Sequence, residues 1–250
     1  MTAHRTIAKL LGAALAEQDR RIEFRRHVVN RGHIATYNEG LLEWANSDYV
    51  LLLSADDALS QGALSRAAYV LDQYPNVGLC HGQQIVFENE IPLTSAKSQE
   101  STSFEIISNQ EFLAAVYQSG SNPVPTPTAV VRTTLQKKIG GYKSDLPHAG
   151  DLEMWLRFGA NAAVARLDAV QAFKREHQNN MAKDFTPTIL PDLQQRRLAF
   201  ESVVYQYAEN IENPDELLKK SNQSLAYQAF WGAKRDKTLS IPPEHPKYKC

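Results

Sequence analysis

Cysteine is scarce in this chain: 250 residues contain only Cys80 and Cys250. Two thiols build neither a disulfide framework nor a metal motif. Cys80 sits in an apolar stretch and reads as a buried thiol, so a reducing cytoplasm is the default compartment. Long hydrophobic runs are also missing. None is long enough to span a bilayer, and the apolar stretch near Met1 is broken by Lys9 and spaced as a helix, unlike a signal peptide. Charge of one sign is not in excess either. Lys and Arg number 27 against 28 Asp and Glu, a net charge of −1, which favours no nucleic-acid or polyanion partner. There is no internal repeat, no low-complexity tract and no glycine-rich nucleotide loop. What remains is an ordinary globular composition, 43% apolar and 22% charged, long enough for one large domain or two small ones.

One stretch organises the rest. Tyr49 to Leu59 reads Tyr-Val-Leu-Leu-Leu-Ser-Ala-Asp-Asp-Ala-Leu. The aliphatics Val50 to Leu53 predict a strand buried on both faces. The run stops at Ser54, and the adjacent carboxylates Asp56 and Asp57 follow. Paired acids just beyond a strand point to the carboxyl edge of an α/β sheet, where open sheets bind ligands. Neighbouring carboxylates repel, and a divalent cation with oxygen ligands relieves that repulsion. A solvated turn, with Asp57 capping the next helix, uses the same residues.

The remaining pattern alternates. Helical spacing covers Ile7 to Leu15, Ile34 to Ala45 and Ala63 to Leu71. Strands are expected over Ile22–Val28, Val50–Leu53, Val77–Cys80 and Ile85–Phe87, giving a mostly parallel sheet flanked by helices. Residues 88–107 read as a long polar loop. Ser108 to Glu111 is a capping box opening a helix through Tyr117. Gly120, Pro123, Pro125 and Pro127 make 119–128 a constrained loop. Short strands are expected at Ala129–Val131, Val164–Leu167 and Val170–Phe173, with a helix over Asp151–Phe158 between them. From Pro191 the pattern is helical, and Asn213-Pro214-Asp215-Glu216 is a helix start. The tail from Lys237 carries Pro242, Pro243 and Pro246 and is expected to be extended.

Several side chains invite chemistry. Asp151, at a helix start beside Trp155, has the form of a positioned general base or of a plain helix cap. His177 follows an expected strand and can ligate a metal or sit on the surface. Asn30-x-Gly32 before a helix can bring backbone N–H groups near a phosphate, although many turns look the same.

Taken in order, the segments Asn30-Arg-Gly-His-Ile-Ala-Thr-Tyr-Asn38-Glu-Gly40, Asp48 to Asp57, Pro75-Asn-Val-Gly-Leu79, Ile139-Gly-Gly-Tyr142, Asp151 to Arg157 and Arg175-Glu-His177 resemble the family 2 glycosyltransferases. The resemblance covers about residues 4–180 and implies the GT-A fold. It implies that Asp57 binds Mg²⁺ or Mn²⁺ on the donor diphosphate, with His177 completing the metal shell or touching the diphosphate. Asp56, Asn30, Gly32 and Asn38 would serve the nucleotide-sugar donor. Asp151 matches the family's catalytic base, and Thr126 and Trp155 would border a glycan, lipid-linked or small acceptor.

Set against the family pattern, the chain starts about one strand-helix-strand late. The expected organisation is a GT-A-like domain over 1–180 and a C-terminal helical extension with tail over 181–250. The expected function is inverting, metal-dependent sugar transfer in the cytoplasm. A non-catalytic derivative that binds a sugar or partner, and a metal-dependent nucleotidyltransferase, stand as other readings. The aromatic-rich C-terminal helices leave core packing, a homodimer contact and peripheral membrane contact all open.

Overall fold

The computed structural model describes residues 3–92, 102–177 and 189–235, with side chains from residue 10 to 234 within that range. The proposed tail from Lys237 lies outside the described residues. Six strands form one sheet in the order β1 (Tyr49–Leu51), β5 (Val130–Arg132), β3 (Val77–Phe87), β6 (Ala163–Arg175), β2 (Ala58–Leu59), with β4 (Phe104–Ile107) also paired to β6. Only β3 and β6 are parallel neighbours, and every other pairing is antiparallel. The α/β class holds, but the sheet is mixed rather than mostly parallel. β5 lies antiparallel between β1 and β3, so β1, β3 and β6 still point the same way. Their carboxyl ends share one rim, where the sequence placed the acids.

Apolar residues on alternating positions serve two cores. On one face α3 (Ala63–Gln73) packs Ala67, Val70 and Leu71 against Val77, Cys80, Val130 and Ala165. On the other, α4 (Asn109–Ser119), α6 (Gly150–Asn161), α7 (Ile189–Tyr207) and α8 (Pro214–Arg235) close over Leu79, Val131 and Val164. Leu193, Phe200, Val204, Leu217 and Leu225 of α7 and α8 belong to that same cluster. The C-terminal helices therefore share the core of the preceding residues. α4 opens as expected: Ser108 Oγ accepts from the Glu111 N–H at 3.3 Å, and Glu111 Oε2 accepts from the Ser108 N–H at 3.1 Å.

Four expectations need correction. First, Ile22–Val28 is not a strand. Among the described residues no strand pairs with it; the Ile22 N–H donates to Asp19 O at 2.9 Å, Arg25 lies over the Trp44 ring at 4.6 Å and His27 pairs with Glu39 at 2.7 Å. Second, β1 is three residues long and, among the described residues, paired only with β5; Val50 packs on one core and Tyr49 and Leu51 on the other, so it is a half-buried edge strand and not one fully buried on both faces. Third, the pairs 77–80 with 85–87, and 164–167 with 170–173, are each one continuous strand, because β3 and β6 pair along almost their whole length. Fourth, the loop over 88–107 contains β4. Helix α1 (Ala3–Gln18) forms, yet its apolar residues Leu10 and Leu11 are 63% and 58% exposed.

Helix α2 (His33–Glu39) runs into a π-turn over Gly40–Trp44. Asn38 reaches from it to the turn after α5 (Thr133–Ile139), where its Nδ2 donates to Tyr142 O at 2.9 Å and its Oδ1 accepts from Tyr142 N at 2.6 Å. The close approach requires Gly141, since a Cβ there would collide with Asn38 Oδ1. From the other side Arg157, 1% exposed, donates to Ile139 O at 2.6 Å and Gly141 O at 2.7 Å while pairing with fully buried Glu153 at 2.8 Å. Tyr142 is thus fixed from two directions.

Candidate active site

A cleft of about 680 Å³ opens at the carboxyl rim of β1 and β6. Asp56 and Asp57 enter it from the turn after β1, Lys174 and His177 from the end of β6, and Asp151 from the first turn of α6. The proline loop, Asn122 to Pro127, and the segment Leu146 to His148 form the opposite wall. Asp57, His177 and Asp151, separated by up to 120 residues in sequence, therefore share one cavity.

Asp151 is not the helix cap. The cap position is Ala149, which makes no side-chain cap bond. The Asp151 carboxylate instead accepts from Thr126 Oγ1 at 2.7 Å and faces the Tyr142 hydroxyl. Burial first, and then the charge of Asp151, push the Tyr142 hydroxyl well above its ordinary value, so it stays a protonated donor. Tyr37, which lines the same cleft, is raised as well, by burial first and then by Asp151.

The two rim acids differ. Asp57 Oδ1 accepts from the Arg175 N–H at 2.9 Å, and its pKa is raised by burial, with the charge of Asp56 adding to the shift. Asp56 Oδ2 lies 2.9 Å from His177 Nε2. The imidazole expected beside Asp57 thus faces the neighbouring acid. Among the described residues, no group of three or more His, Cys, Asp or Glu gathers closely enough to hold a metal ion. The donor set nevertheless suits a hard cation. A desolvated carboxylate next to a second one lowers its energy by gaining positive charge, and Mg²⁺ commonly takes one or two carboxylates and completes its shell from a phosphate ligand.

Thr126 lines the cleft as expected, together with Asp56, Asp57, Asp151 and His177, but four other sequence candidates lie elsewhere. Asn30 is exposed and its Oδ1 accepts from the Gly32 N–H at 2.9 Å, closing a local turn. Gly32 has a φ of 81° and is exposed. Asn38 spends its amide on Tyr142. Trp155 is 5% exposed and packs in the core near Phe158. None of these four lines the cleft. Residues that the sequence reading passed over do line it: Tyr37, Gln84, Tyr142, His148 and Lys174. Gln84 Oε1 is buried without a hydrogen-bond partner, and His148 is held by α7 through Asp192 at 2.9 Å. They come from five separate places in the chain, α2, β3, β6 and two positions between α5 and α6, and only the fold brings them together.

A mixed sheet between helical layers, with acids at the rim and a helix-borne carboxylate across from them, defines an α/β ligand-binding fold of the GT-A kind. The chain belongs to glycosyltransferase family 2: the model described as "Glycosyl transferase family 2" matches residues 6–132, just over half of the chain. No curated protein sequence matches it. Among solved structures it is similar to S. aureus TarS 1–349 in complex with UDP-GlcNAc, at 16% identity and a TM-score of 0.61, covering 92% of this chain and 63% of that one. The same TarS fragment in a second structure gives 17% identity and a TM-score of 0.58, covering 92% and 62%. The likeness is one of fold, and this chain spans less than two thirds of the TarS fragment. No helix among the described residues is long and apolar enough to cross a membrane.

Proposed function

We propose that this chain transfers a sugar from a nucleoside diphosphate donor to an acceptor hydroxyl, with inversion and with the help of a divalent cation. The supporting observation is the convergence of Asp57, His177 and Asp151 on one cleft. Asp151 takes the proton of the acceptor hydroxyl. The oxygen then bonds to the anomeric carbon while the carbon–diphosphate bond breaks on the opposite face, the electron pair leaving with the diphosphate. Attack opposite the leaving group inverts the centre. Thr126 and Tyr142 orient the carboxylate for that transfer. Lys174 supplies positive charge on the donor side, and Asp56 contacts the donor ribose or sugar. Asp57 and His177 would hold Mg²⁺ or Mn²⁺, which when bound offsets charge on the leaving diphosphate.

TarS was solved with UDP-GlcNAc, so a uridine diphosphate N-acetylhexosamine is the first donor to try. A cytoplasmic setting accompanies this reading, in keeping with the buried thiol of Cys80. Isothermal titration of the folded chain with UDP and Mn²⁺ tests it. Binding heat is expected, and none above background overturns the proposal. Asp151→Asn should abolish transfer while UDP still binds. An equal loss of both would remove Asp151 as the base.

A further inference from the structure

A second cleft, of about 630 Å³, lies across the proline loop from the first. Pro123 and Pro125 line both, so the loop is the ridge between them. Strand β3 serves both as well: Gln84 lines the first cleft, and His81 and Gln83 line the second. The ridge is tied to that strand. Thr128 Oγ1 donates to Pro125 O at 2.7 Å and accepts from the Gly82 N–H at 3.3 Å. Gly82 in turn sits so close to β6 that a Cβ would come within 2.6 Å of Gln171 Cγ and 2.9 Å of Ala169 O.

The second cleft has the chemistry of a polyol site. Gln83 Nε2 donates to Asp168 Oδ1 at 2.9 Å, and Arg166 Nη2 donates to Glu105 Oε2 at 2.7 Å. These planar groups keep further donor and acceptor positions for hydroxyls. His81 is 5% exposed and its Nδ1 has no hydrogen-bond partner. Phe104 adds an apolar ring to the lining. Two carboxylates against one guanidinium disfavour a polyanionic occupant.

We infer that this second cleft binds the distal units of a neutral, polyhydroxylated chain whose terminal hydroxyl crosses the Pro123–Pro125 ridge to Asp151. The inference rests on the transfer reading above and narrows the acceptor to an oligosaccharide of several units. Neither cleft alone accounts for the shared wall and the shared strand.

The test is titration of the folded chain, loaded with UDP and Mn²⁺, with neutral oligosaccharides of one to five units in gluco, galacto and N-acetylgluco series. At least one series should bind about tenfold more tightly at its longest than at its shortest member. Gln83→Ala and, separately, Arg166→Ala should cancel that gain with UDP binding retained. Both side chains are solvent-accessible, so folding is not at stake. No length dependence in any series, or a gain that survives both substitutions, overturns the inference and leaves the transfer reading standing. Absence of UDP binding removes the transfer reading and the acceptor role with it.

Discussion

Asn38 holds both backbone polar groups of Tyr142, donating to its carbonyl at 2.9 Å and accepting from its N–H at 2.6 Å, across 104 residues of sequence. The Tyr142 hydroxyl in turn faces the Asp151 carboxylate. An amide that looks like a donor contact in sequence thereby braces the tyrosine beside Asp151.

Asn38→Ala leaves the Tyr142 N–H and C=O unpaired in a part-buried site, a loss of about 2 kcal/mol or more. Urea unfolding measures it. Turnover is expected to fall while UDP affinity stays as it was. A folded variant that loses UDP affinity instead would return Asn38 to the donor site.

Thr126→Val removes one hydrogen bond to the Asp151 carboxylate and keeps the shape of the side chain. A bond to a charged group is worth about 1.5–3 kcal/mol, so turnover should drop about 10- to 100-fold. Steady-state kinetics with a fixed acceptor decide it, and unchanged turnover would mean that Thr126 does not orient the carboxylate.

Asp57 is raised above 3.8 mainly by burial, with Asp56 adding to the shift and the Arg175 N–H and Lys174 opposing it. Between 3.8 and that higher value the folded chain keeps a proton that the unfolded chain has released. Stability therefore falls as pH rises through this window and stays lower above it. Asp57→Asn is expected to raise Tm slightly at neutral pH without cation, by about 1 °C, while abolishing Mn²⁺-dependent UDP binding. A lower Tm in the absence of cation would show that the carboxylate is already satisfied.

His81 shifts the opposite way. Burial, helped by nearby Arg166, lowers its pKa from 6.5 to about 4. Below 6.5 the unfolded chain takes up a proton that the folded chain refuses until about 4. Stability is full above the higher value and falls by about 3 kcal/mol as pH drops through the window, at about 1.4 kcal/mol per pH unit. His81→Gln should flatten this acid limb in denaturant melts taken from pH 7 to 4. An identical slope in the variant assigns the acid sensitivity to another group.

The parts of the site that were legible from sequence are those carried by local chemistry. Asp56 and Asp57 follow an aliphatic run, Asp151 begins a helix, and Ser108 to Glu111 caps one. Their convergence could be expected only through resemblance to a family. Strand partners were not legible. Ile22–Val28 has a good alternating pattern and no strand pairing with it among the described residues. In β3, His81, Gln83 and Gln84 interrupt the apolar run and read as a break between strands, yet the pairing with β6 continues past them through register shifts at His81/Gln83 and Gln83/Gln84. The interruption marks where the strand faces the two clefts. Trp155 shows the reverse error, because its helix is buried almost all round and the large aromatic faces the core.

His148 of the cleft wall is fastened to Asp192, and its backbone N–H donates to Gln195 Oε1 at 3.3 Å, both partners lying on α7. The far end of the chain thus fixes the contour of the side opposite the rim acids. Substitutions along that late helix can retune which molecules fit the cavity while the rim carboxylates Asp56 and Asp57 stay untouched. Selectivity can in this way drift independently of the chemistry it serves.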